Sequence, residues 1–154
     1  MNIIGPEVNH KQDVERILRT LPRWFGIEEA LLMYVADSAT KPTFAAETDG
    51  QLVGFITLTQ HFPEAWDVHC MAVAAESRNG GVGTALLERA ERYAAEQGAT
   101  FLQVKTVAHT SPSPEYAETR KFYEAKGFTP LEIFPNLWHP KNPALQLIKV
   151  LDRK

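Results

Sequence analysis

A glycine-rich segment, RNGGVG at positions 78–83, separates a β-like apolar run from the clearest amphipathic helix of the chain. The first N–H groups of a helix lack intrahelical partners, and the helix dipole places partial positive charge there. Glycines also let the main chain approach an anion closely. The segment is therefore typical of a strand-to-helix turn that binds a pyrophosphate, although three glycines also suit a tight connection without a ligand.

Two common phosphate-binding motifs do not fit this turn. A Walker A motif has Lys and then Ser or Thr after its last glycine, whereas Thr84-Ala85 stands here. A Rossmann fingerprint needs a third small residue three positions after Gly83, where this chain has Leu86. The turn follows neither motif.

Hydrophobic periodicity predicts a mixed α/β order around the turn. A strand near positions 3–4 precedes helices over 11–20 and 27–37, and strands follow over 44–48, 51–59 and 66–75. A helix over 82–97, a strand over 100–107, a helix from 114 to 126 and strands over 128–133 and 144–151 complete the order. With 154 residues, of which 44% are hydrophobic, the chain is expected to form a single domain over 1–154.

Local turn signals bound several of these elements. Asp49-Gly50 lies between two β-prone runs and predicts a type I′ hairpin turn, since both central residues of that turn need a positive φ. Pro22 should end the first helix, and Ser113-Pro114 offers an N-cap and a first-turn proline to the last helix.

Charge and cysteine content exclude several classes of protein. With 16 basic and 19 acidic side chains, the formal net charge of −3 gives no general attraction to nucleic acid or to an anionic membrane. No apolar run approaches the roughly 20 residues that span a bilayer. The single cysteine, Cys70, cannot form an internal disulfide, and the chain begins without a leader-like segment, so a cytoplasmic location is expected.

The turn resembles the Arg/Gln-x-x-Gly-x-Gly/Ala signature of the GNAT N-acetyltransferase superfamily, which this chain matches in Arg78-Asn79-Gly80-Gly81-Val82-Gly83. The resemblance extends to the element order and implies an α/β fold with a mixed central sheet of about six to seven strands flanked by about four helices. It also implies that acetyl-CoA is the cosubstrate. The cofactor-binding residues would be Met71, Ala72, Val73, Arg78, Asn79, Gly80, Gly81, Val82, Gly83 and Thr84.

A second stretch, residues 119–128 (TRKFYEAKGF), is similar to another marker of that family, an aromatic-Tyr pair on a helix followed by Gly-Phe. Many members carry Asn and Ala before the tyrosine at positions where this chain has Tyr116 and Arg120. The departure resembles a subgroup with a Thr-Arg-x-Phe-Tyr pattern.

Acetyl transfer to an amine requires a base for the ammonium, donors for an oxyanion and an acid for the departing thiolate. The resemblance implies that Tyr123 is the acid, although a core tyrosine is the alternative. The bases suggested are Asp67 and His69, which even spacing should place on one strand face. A carboxylate at the position of Asp67 is the base in several family members. His69 is of the residue type whose ordinary pKa, ~6.5, suits a base near neutral pH, and water alone is a third option. A strand N–H near Val73 would bind the oxyanion.

The remaining cysteine, histidine and aromatic residues have mainly structural interpretations. Strand parity predicts that Cys70 points away from Asp67 and His69 as a buried apolar group. The remaining histidines lack metal-ligand spacing, so no metal is predicted. Trp24 and Phe25 are predicted to lie in the core or in the wall of a pocket, and family analogy makes them, with Tyr34, candidates for acceptor binding. Trp138 is predicted in a late loop, packed there or closing over the acceptor.

The sequence therefore predicts an N-acetyltransferase that moves an acetyl group from acetyl-CoA to a primary amine of a small molecule or peptide. A non-catalytic CoA-binding or sensory module is the alternative, and a nucleotide-binding domain is a weaker one. The identity of the amine stays open, and a homodimer is compatible with the sequence.

Overall fold

The computed structural model describes residues 1–7 and 9–151. In chain order the helices and strands are β1 (Asn2–Ile4), α1 (Lys11–Arg19), α2 (Glu28–Asp37), β2 (Thr43–Thr48), β3 (Gln51–Phe62), β4 (Ala65–Val73), α3 (Val82–Glu96), β5 (Phe101–Val107), α4 (Pro114–Ala125), β6 (Thr129–His139) and β7 (Asn142–Val150). The predicted order of elements is confirmed, as is the predicted α/β class.

The strands form one seven-stranded sheet in the order β1-β2-β3-β4-β5-β7-β6. All neighbours are antiparallel except β4 and β5, which are parallel and are connected through α3. A parallel pair needs such a crossover, because a short turn cannot return the chain to the same end of the sheet. The carboxyl end of β4 therefore leads directly into the glycine-rich turn and α3.

Two hydrophobic clusters cover the two faces of the sheet. On one face, α3 contributes Leu86 and Ala90, and α4 contributes Tyr123. On the other face, Ile17 of α1 and Leu31 of α2 pack against the strands. The α3–α4 face and the α1–α2 face are thus separate layers on a common sheet, and a site at the carboxyl end of β4 borders both.

Local signals place the turns as predicted. Asp49 and Gly50 have φ values of 52° and 79°, so both central residues of the β2–β3 turn lie in the region that a type I′ turn requires. The Ser113 side chain accepts a hydrogen bond from the Tyr116 N–H at the start of α4. α1 ends at Arg19, before Pro22, and Gly98 follows α3 with a φ of 99°.

Several boundaries differ from the sequence prediction, among them the ends of β4 and β6. β4 ends at Val73 because Ala75–Ser77 form a short 3-10 turn. β6 reaches His139, so Trp138 lies in a strand rather than in the predicted loop, with its side chain half exposed. Prolines made this region resemble a loop, but β6 is the last strand in the sheet order, and an edge strand tolerates proline because one row of its N–H groups needs no partner.

Candidate functional site

A gap opens between β4 and β5 at the carboxyl end of β4. The ladder between these strands runs from the pair Ala65–Phe101 to the pair Val68–Val104 and ends there. Beyond Val68, β4 continues to Val73 paired with β3 alone, while β5 continues to Val107 paired with β7. The main-chain edges of the two strands therefore face each other across a wedge, without bonds between them.

A β-bulge at His69 coincides with the start of this wedge. On β3, Thr57 pairs with Cys70 and the next residue, Leu58, pairs with Val68, so His69 is the extra residue. Bulges bend a strand and often lie next to active sites, where they redirect a side chain. Here the bulge lies at the point where the pairing of β4 with β5 ends.

The glycine-rich turn closes the wide end of the wedge. Asn79 and Gly81 have φ values of 66° and 83°, and Gly81 is the N-cap of α3 without a side-chain cap hydrogen bond. A β-carbon on Gly81 would have no heavy atom within 4 Å, and one on Gly80 would meet only the Ser77 carbonyl, at 3.7 Å. The main chain at Gly80 and Gly81 therefore borders open space just before the first turn of α3, which is the arrangement that an anion site needs.

The segment between α1 and α2 bridges the glycine-rich turn and α4. The Trp24 ring lies 4.6 Å from the Arg78 guanidinium, and its Nε1 donates to Thr119 Oγ1 at 3.3 Å. The Tyr116 hydroxyl donates to the Trp24 carbonyl at 3.1 Å, and Arg78 also reaches Glu118 at 3.4 Å. Trp24 thus joins the predicted acceptor-site aromatics to the predicted cofactor turn, and the side chain of Arg78 lies against Trp24 and α4.

Two consecutive aromatic residues of α4 adjoin the start of α3. A β-carbon on Gly83 would stand 3.5 Å from the Phe122 ring and 3.8 Å from the Val73 side chain, so these three residues are close neighbours. Tyr123 is 4% exposed, and its ring makes edge contacts with Phe122 and Phe128.

The Tyr123 phenol is held in its neutral form. Burial raises its pKa well above the ordinary value, and the charges of Cys70 and Asp67 on β4 raise it further. A neutral phenol can donate a proton, so the protonated state of Tyr123 is compatible with its predicted role as the acid. The burial of Tyr123 is equally compatible with a residue of the core.

Asp67 is already engaged by two basic side chains. Its Oδ2 lies 2.9 Å from His61 Nε2 on β3 and 3.9 Å from Lys105 Nζ on β5. Asp67 and Lys105 are largely covered, whereas His61 is more exposed. Neither partner of Asp67 was predictable from local sequence, since the pairing depends on three different strands.

His69 contacts α2 instead. Its Nε2 lies 2.8 Å from Asp37 Oδ2, and its ring makes an edge contact with Tyr34 at a centroid distance of 5.4 Å. Tyr34 in turn makes an edge contact with Phe25 at 5.9 Å. Burial, together with weaker effects from Cys70, Tyr116, Asp37 and Asp67, raises the pKa of Tyr34 to about 12. Asp37 was missed by the sequence analysis because nothing in its neighbourhood marks it.

The predicted orientation of Cys70 is wrong, although its predicted burial is confirmed. Trp66 and Val68 belong to the α3–α4 cluster, whereas Cys70 and Ala72 belong to the α1–α2 cluster, which Tyr34 also joins. Strict alternation would place all four on one face, and the bulge at His69 changes the parity between them. Cys70 is 6% exposed, and burial raises its thiol pKa above the ordinary value.

The site therefore combines residues from several helices and strands and from the segments that connect them. The structure brings together the β4 edge, the glycine-rich turn, Tyr123 and the aromatic group of Trp24, Phe25 and Tyr34. It separates the two predicted bases into different clusters, Asp67 with His61 and Lys105, and His69 with Asp37. Within residues 1–7 and 9–151, no group of three or more His, Cys, Asp or Glu side chains could hold a metal ion.

The described helices are short compared with a membrane-spanning helix. The longest, α3, has 15 residues and a polar face. No helix in the described part of the chain combines the length and the apolar character needed to cross a bilayer.

Comparison with protein families gives one clear match. The family model described as acetyltransferase (GNAT) domain matches residues 39–130. This range holds the β2–β3 hairpin, β4, the glycine-rich turn, α3, β5 and α4. Among curated proteins, comparison by sequence finds no significant match.

Solved structures agree with the whole fold. A GNAT-family protein from Desulfovibrio desulfuricans has a TM-score of 0.83 at 18% identity, over 98% of this chain and 99% of its own. An aminoglycoside 6′-N-acetyltransferase complexed with coenzyme A has a TM-score of 0.78 at 21% identity, over 100% and 99%. The ribosomal-protein-S18-alanine N-acetyltransferase from Escherichia coli has a TM-score of 0.77 at 17% identity, over 98% and 94%.

Proposed function

The chain belongs to the GNAT acetyltransferase family, and we propose that it transfers an acetyl group from acetyl-CoA to a primary amine by direct attack. Residues 1–154 act as one domain in this proposal. The observation that carries it is the divergence of β4 from β5 beside the N-terminus of α3. This divergence offers an unpaired strand edge and an anion-binding turn next to each other.

The residues present fit coenzyme A. The unpaired edge over Met71, Ala72 and Val73 suits the amide groups of a pantetheine arm, because a strand edge bonds to extended amides. The turn from Arg78 to Thr84 suits the pyrophosphate, since its glycines leave open space beside the first amides of α3. A known aminoglycoside acetyltransferase of similar fold is complexed with coenzyme A, which supports this assignment.

The reaction uses the chain's own groups for its proton transfers. The neutral amine attacks the thioester carbonyl carbon, the N–C bond forms, and the C–S bond breaks. A base on β4, Asp67 or His69, takes the proton of the ammonium, directly or through water. Tyr123 gives its proton to the departing sulfur, and a main-chain N–H near Val73 stabilises the negative oxygen. Burial raises the pKa of Tyr123 and keeps the donated proton in place until the thiolate forms.

The acceptor binds on the α1–α2 side. Trp24, Phe25 and Tyr34 provide an aromatic wall there, and Tyr34 contacts His69. Relatives of similar fold act on an aminoglycoside and on the alanine of a ribosomal protein, so both small-molecule and peptide amines belong in the tested panel. The formal net charge of −3 favours neither class.

A thiol-release assay tests the proposal. The purified chain is incubated with acetyl-CoA and a panel of aminoglycosides, polyamines, amino acids and peptides with free N-termini. Amine-dependent release of coenzyme A, with the acetylated amine identified by mass spectrometry, is the expected result.

Two other outcomes would contradict the enzyme assignment. Saturable acetyl-CoA binding without turnover of any amine would favour a non-catalytic or sensory CoA-binding module. Greater thermal stabilisation by ATP or NAD than by acetyl-CoA would favour a nucleotide-binding domain.

A further inference from the structure

We propose that Asp37 is a positioning residue that orients His69 as the base of the transfer, with Asp67 outside this role. The inference rests on the proposed acetyltransferase function and narrows its choice between two bases to one. It assigns a role to a residue of α2, which lies 32 positions from His69 in sequence.

The imidazole of His69 is fixed from two directions by α2. Asp37 Oδ2 lies 2.8 Å from Nε2, and the Tyr34 ring meets the imidazole at a centroid distance of 5.4 Å and an interplanar angle of 69°. The side chains of His69 and Asp37 keep only 23% and 25% of their surface exposed. The ring therefore has a defined orientation while part of it stays accessible to an amine.

The contact with Asp37 selects the nitrogen that can act as a base. An ionised carboxylate only accepts hydrogen bonds, so the neutral ring places its proton on Nε2 and its lone pair on Nδ1. The same carboxylate stabilises the imidazolium that forms when Nδ1 takes a proton from the ammonium. A carboxylate that orients a catalytic histidine acts in this way in other enzyme classes.

The position of Asp37 is unfavourable for the helix that carries it. Asp37 is the last residue of α2, whose last turn contains no basic residue. The helix dipole places partial negative charge at this end, so a carboxylate there is disfavoured. Locally unfavourable residues of this kind are expected at functional sites. The contact with His69 compensates for the unfavourable position of the Asp37 carboxylate at the helix C-terminus.

The bulge in β4 gives His69 a special position on the strand. Since His69 is the unpaired residue between Val68 and Cys70, its backbone is free of the regular ladder with β3. The bulge also marks the point at which β4 leaves β5. His69 thus lies at the apex of the wedge, between the α1–α2 face and the proposed thioester position.

Asp67 belongs to a different cluster. Its Oδ2 is engaged by His61 at 2.9 Å and lies 3.9 Å from Lys105. This arrangement links β3, β4 and β5 at the closed end of the wedge, where the ladder still holds. The titratable side chains that contact His69 from the elements packed against it are Asp37 and Tyr34, both of α2.

Nitrogen NMR of the histidine rings tests the assignment without any turnover. The full chain is labelled at the histidine ring nitrogens, and the His69 signals are assigned with a His69→Gln variant. The Nε2–H tautomer is expected for wild-type His69, and Asp37→Asn should lose that preference. A wild-type Nδ1–H tautomer would overturn the base assignment even if the chain proves to be an acetyltransferase.

Kinetics with the amine found in the thiol-release assay provide the second readout. General-base catalysis contributes about 10²–10⁴-fold, so Asp37→Asn should lower kcat by at least about 10-fold and His69→Gln by about 100-fold. The KM for acetyl-CoA should change by less than about 2-fold in both variants, because neither side chain holds the coenzyme. Asp37→Glu should recover part of the lost kcat, since it restores the carboxylate.

Matched controls separate positioning from folding. Asp13→Asn removes another aspartate that pairs with a histidine, His10, which lies 3.6 Å away at the N-cap of α1, and this variant should leave kcat unchanged. Asp67→Asn removes the other candidate base and should lower kcat less than Asp37→Asn does, because the inference places Asp67 outside the proton transfer from the amine. A large loss in Asp67→Asn with a neutral Asp37→Asn would overturn the inference. Failure to turn over any amine would instead overturn the proposed function, and the base assignment with it.

Discussion

The guanidinium of Arg78 stacks on the ring of Trp24 at 4.6 Å from its centroid. Arg78 belongs to the turn proposed to bind the coenzyme, and Trp24 belongs to the segment proposed to bind the acceptor. The contact therefore couples the two halves of the proposed site through one cation–π pair. Coenzyme affinity should then depend on both residues and not only on the charged one.

Arg78→Ala should weaken coenzyme A binding by about 10-fold, because a hydrogen bond to a charged group contributes about 1.5 kcal/mol or more. Trp24→Ala should weaken it less, and the double variant should lose less than the sum of the two effects. Isothermal titration calorimetry measures the four affinities. Arg92→Ala, on the exposed side of α3, is the control, and equal losses in Arg78→Ala and Arg92→Ala would remove the specific role of Arg78.

Gly81→Ala should destabilise the fold and weaken coenzyme binding together. Gly81 has a φ of 83°, and a β-carbon in this conformation costs about 1–2 kcal/mol. Gly50 is a matched control because its φ is 79° and its β-carbon would also meet nothing within 4 Å. Urea denaturation should show similar losses for Gly50→Ala and Gly81→Ala, whereas calorimetry should show weaker coenzyme binding only for Gly81→Ala. Unchanged affinity in both variants would argue against the turn as the pyrophosphate site.

Tyr123→Phe should lower kcat by about 10²-fold or more with little change in the KM for acetyl-CoA, since a general acid acts mainly in the transition state. The ring and its contacts with Phe122 and Phe128 remain, so the free energy of unfolding should change little. Tyr93→Phe, a change in the core beside Phe44 and Trp66, is the control. An unchanged kcat in Tyr123→Phe would identify Tyr123 as a core residue alone.

The folded chain should lose stability in alkaline solution. Burial raises the pKa of Tyr34 to about 12 and also raises the pKa values of Tyr116 and Tyr123. An unfolded tyrosine ionises near ~10. Above that pH the unfolded chain releases protons that the folded chain keeps, so a stabilisation that is complete below pH ~10 is lost as the pH rises toward the folded pKa values.

Urea unfolding at several pH values between about 9 and 12 measures this loss. Wild type should lose more stability than Tyr34→Phe over that interval, because the variant lacks one of the shifted phenols. Lysines ionise in the same range in both proteins, so the difference between them isolates Tyr34. Parallel curves for the two proteins would contradict the raised pKa.

Cys70 should be inert in the native protein. Its thiol is buried, and burial raises its pKa, so little thiolate is present to react. A disulfide-based thiol reagent should detect this single cysteine only after denaturation. Rapid reaction of the native chain would contradict its burial and would also add a background to the thiol-release assay.

Local sequence signals predicted the order of the elements because each acts over a few residues. Asp49-Gly50 determines a turn by its own φ values, and Ser113 caps α4 through an amide three positions away. The glycine-rich turn was placed correctly for the same reason. The contact between Arg78 of this turn and Trp24 was not predicted, because the two residues are far apart in sequence.

The features missed by the sequence analysis depend on distant partners. The bulge at His69 arises from the pairing of two strands, and it reverses the expected orientation of Cys70. The contact between Asp37 and His69 needs α2 to lie over β4. Trp138 was placed in a loop because its neighbouring prolines are compatible with a strand only at the edge of a sheet.

Because the ladder between β4 and β5 has only four pairs, the edge of β4 beyond Val68 is left without a partner strand. Recognition along an exposed strand edge uses peptide N–H and C=O groups, which every residue except proline supplies in full. If this edge holds the coenzyme as proposed, exchange of Met71 or Val73 for another apolar residue should cost little coenzyme affinity. An inserted or deleted residue between Val68 and Val73 would shift the phase of the edge and misalign all of its hydrogen-bonding groups at once.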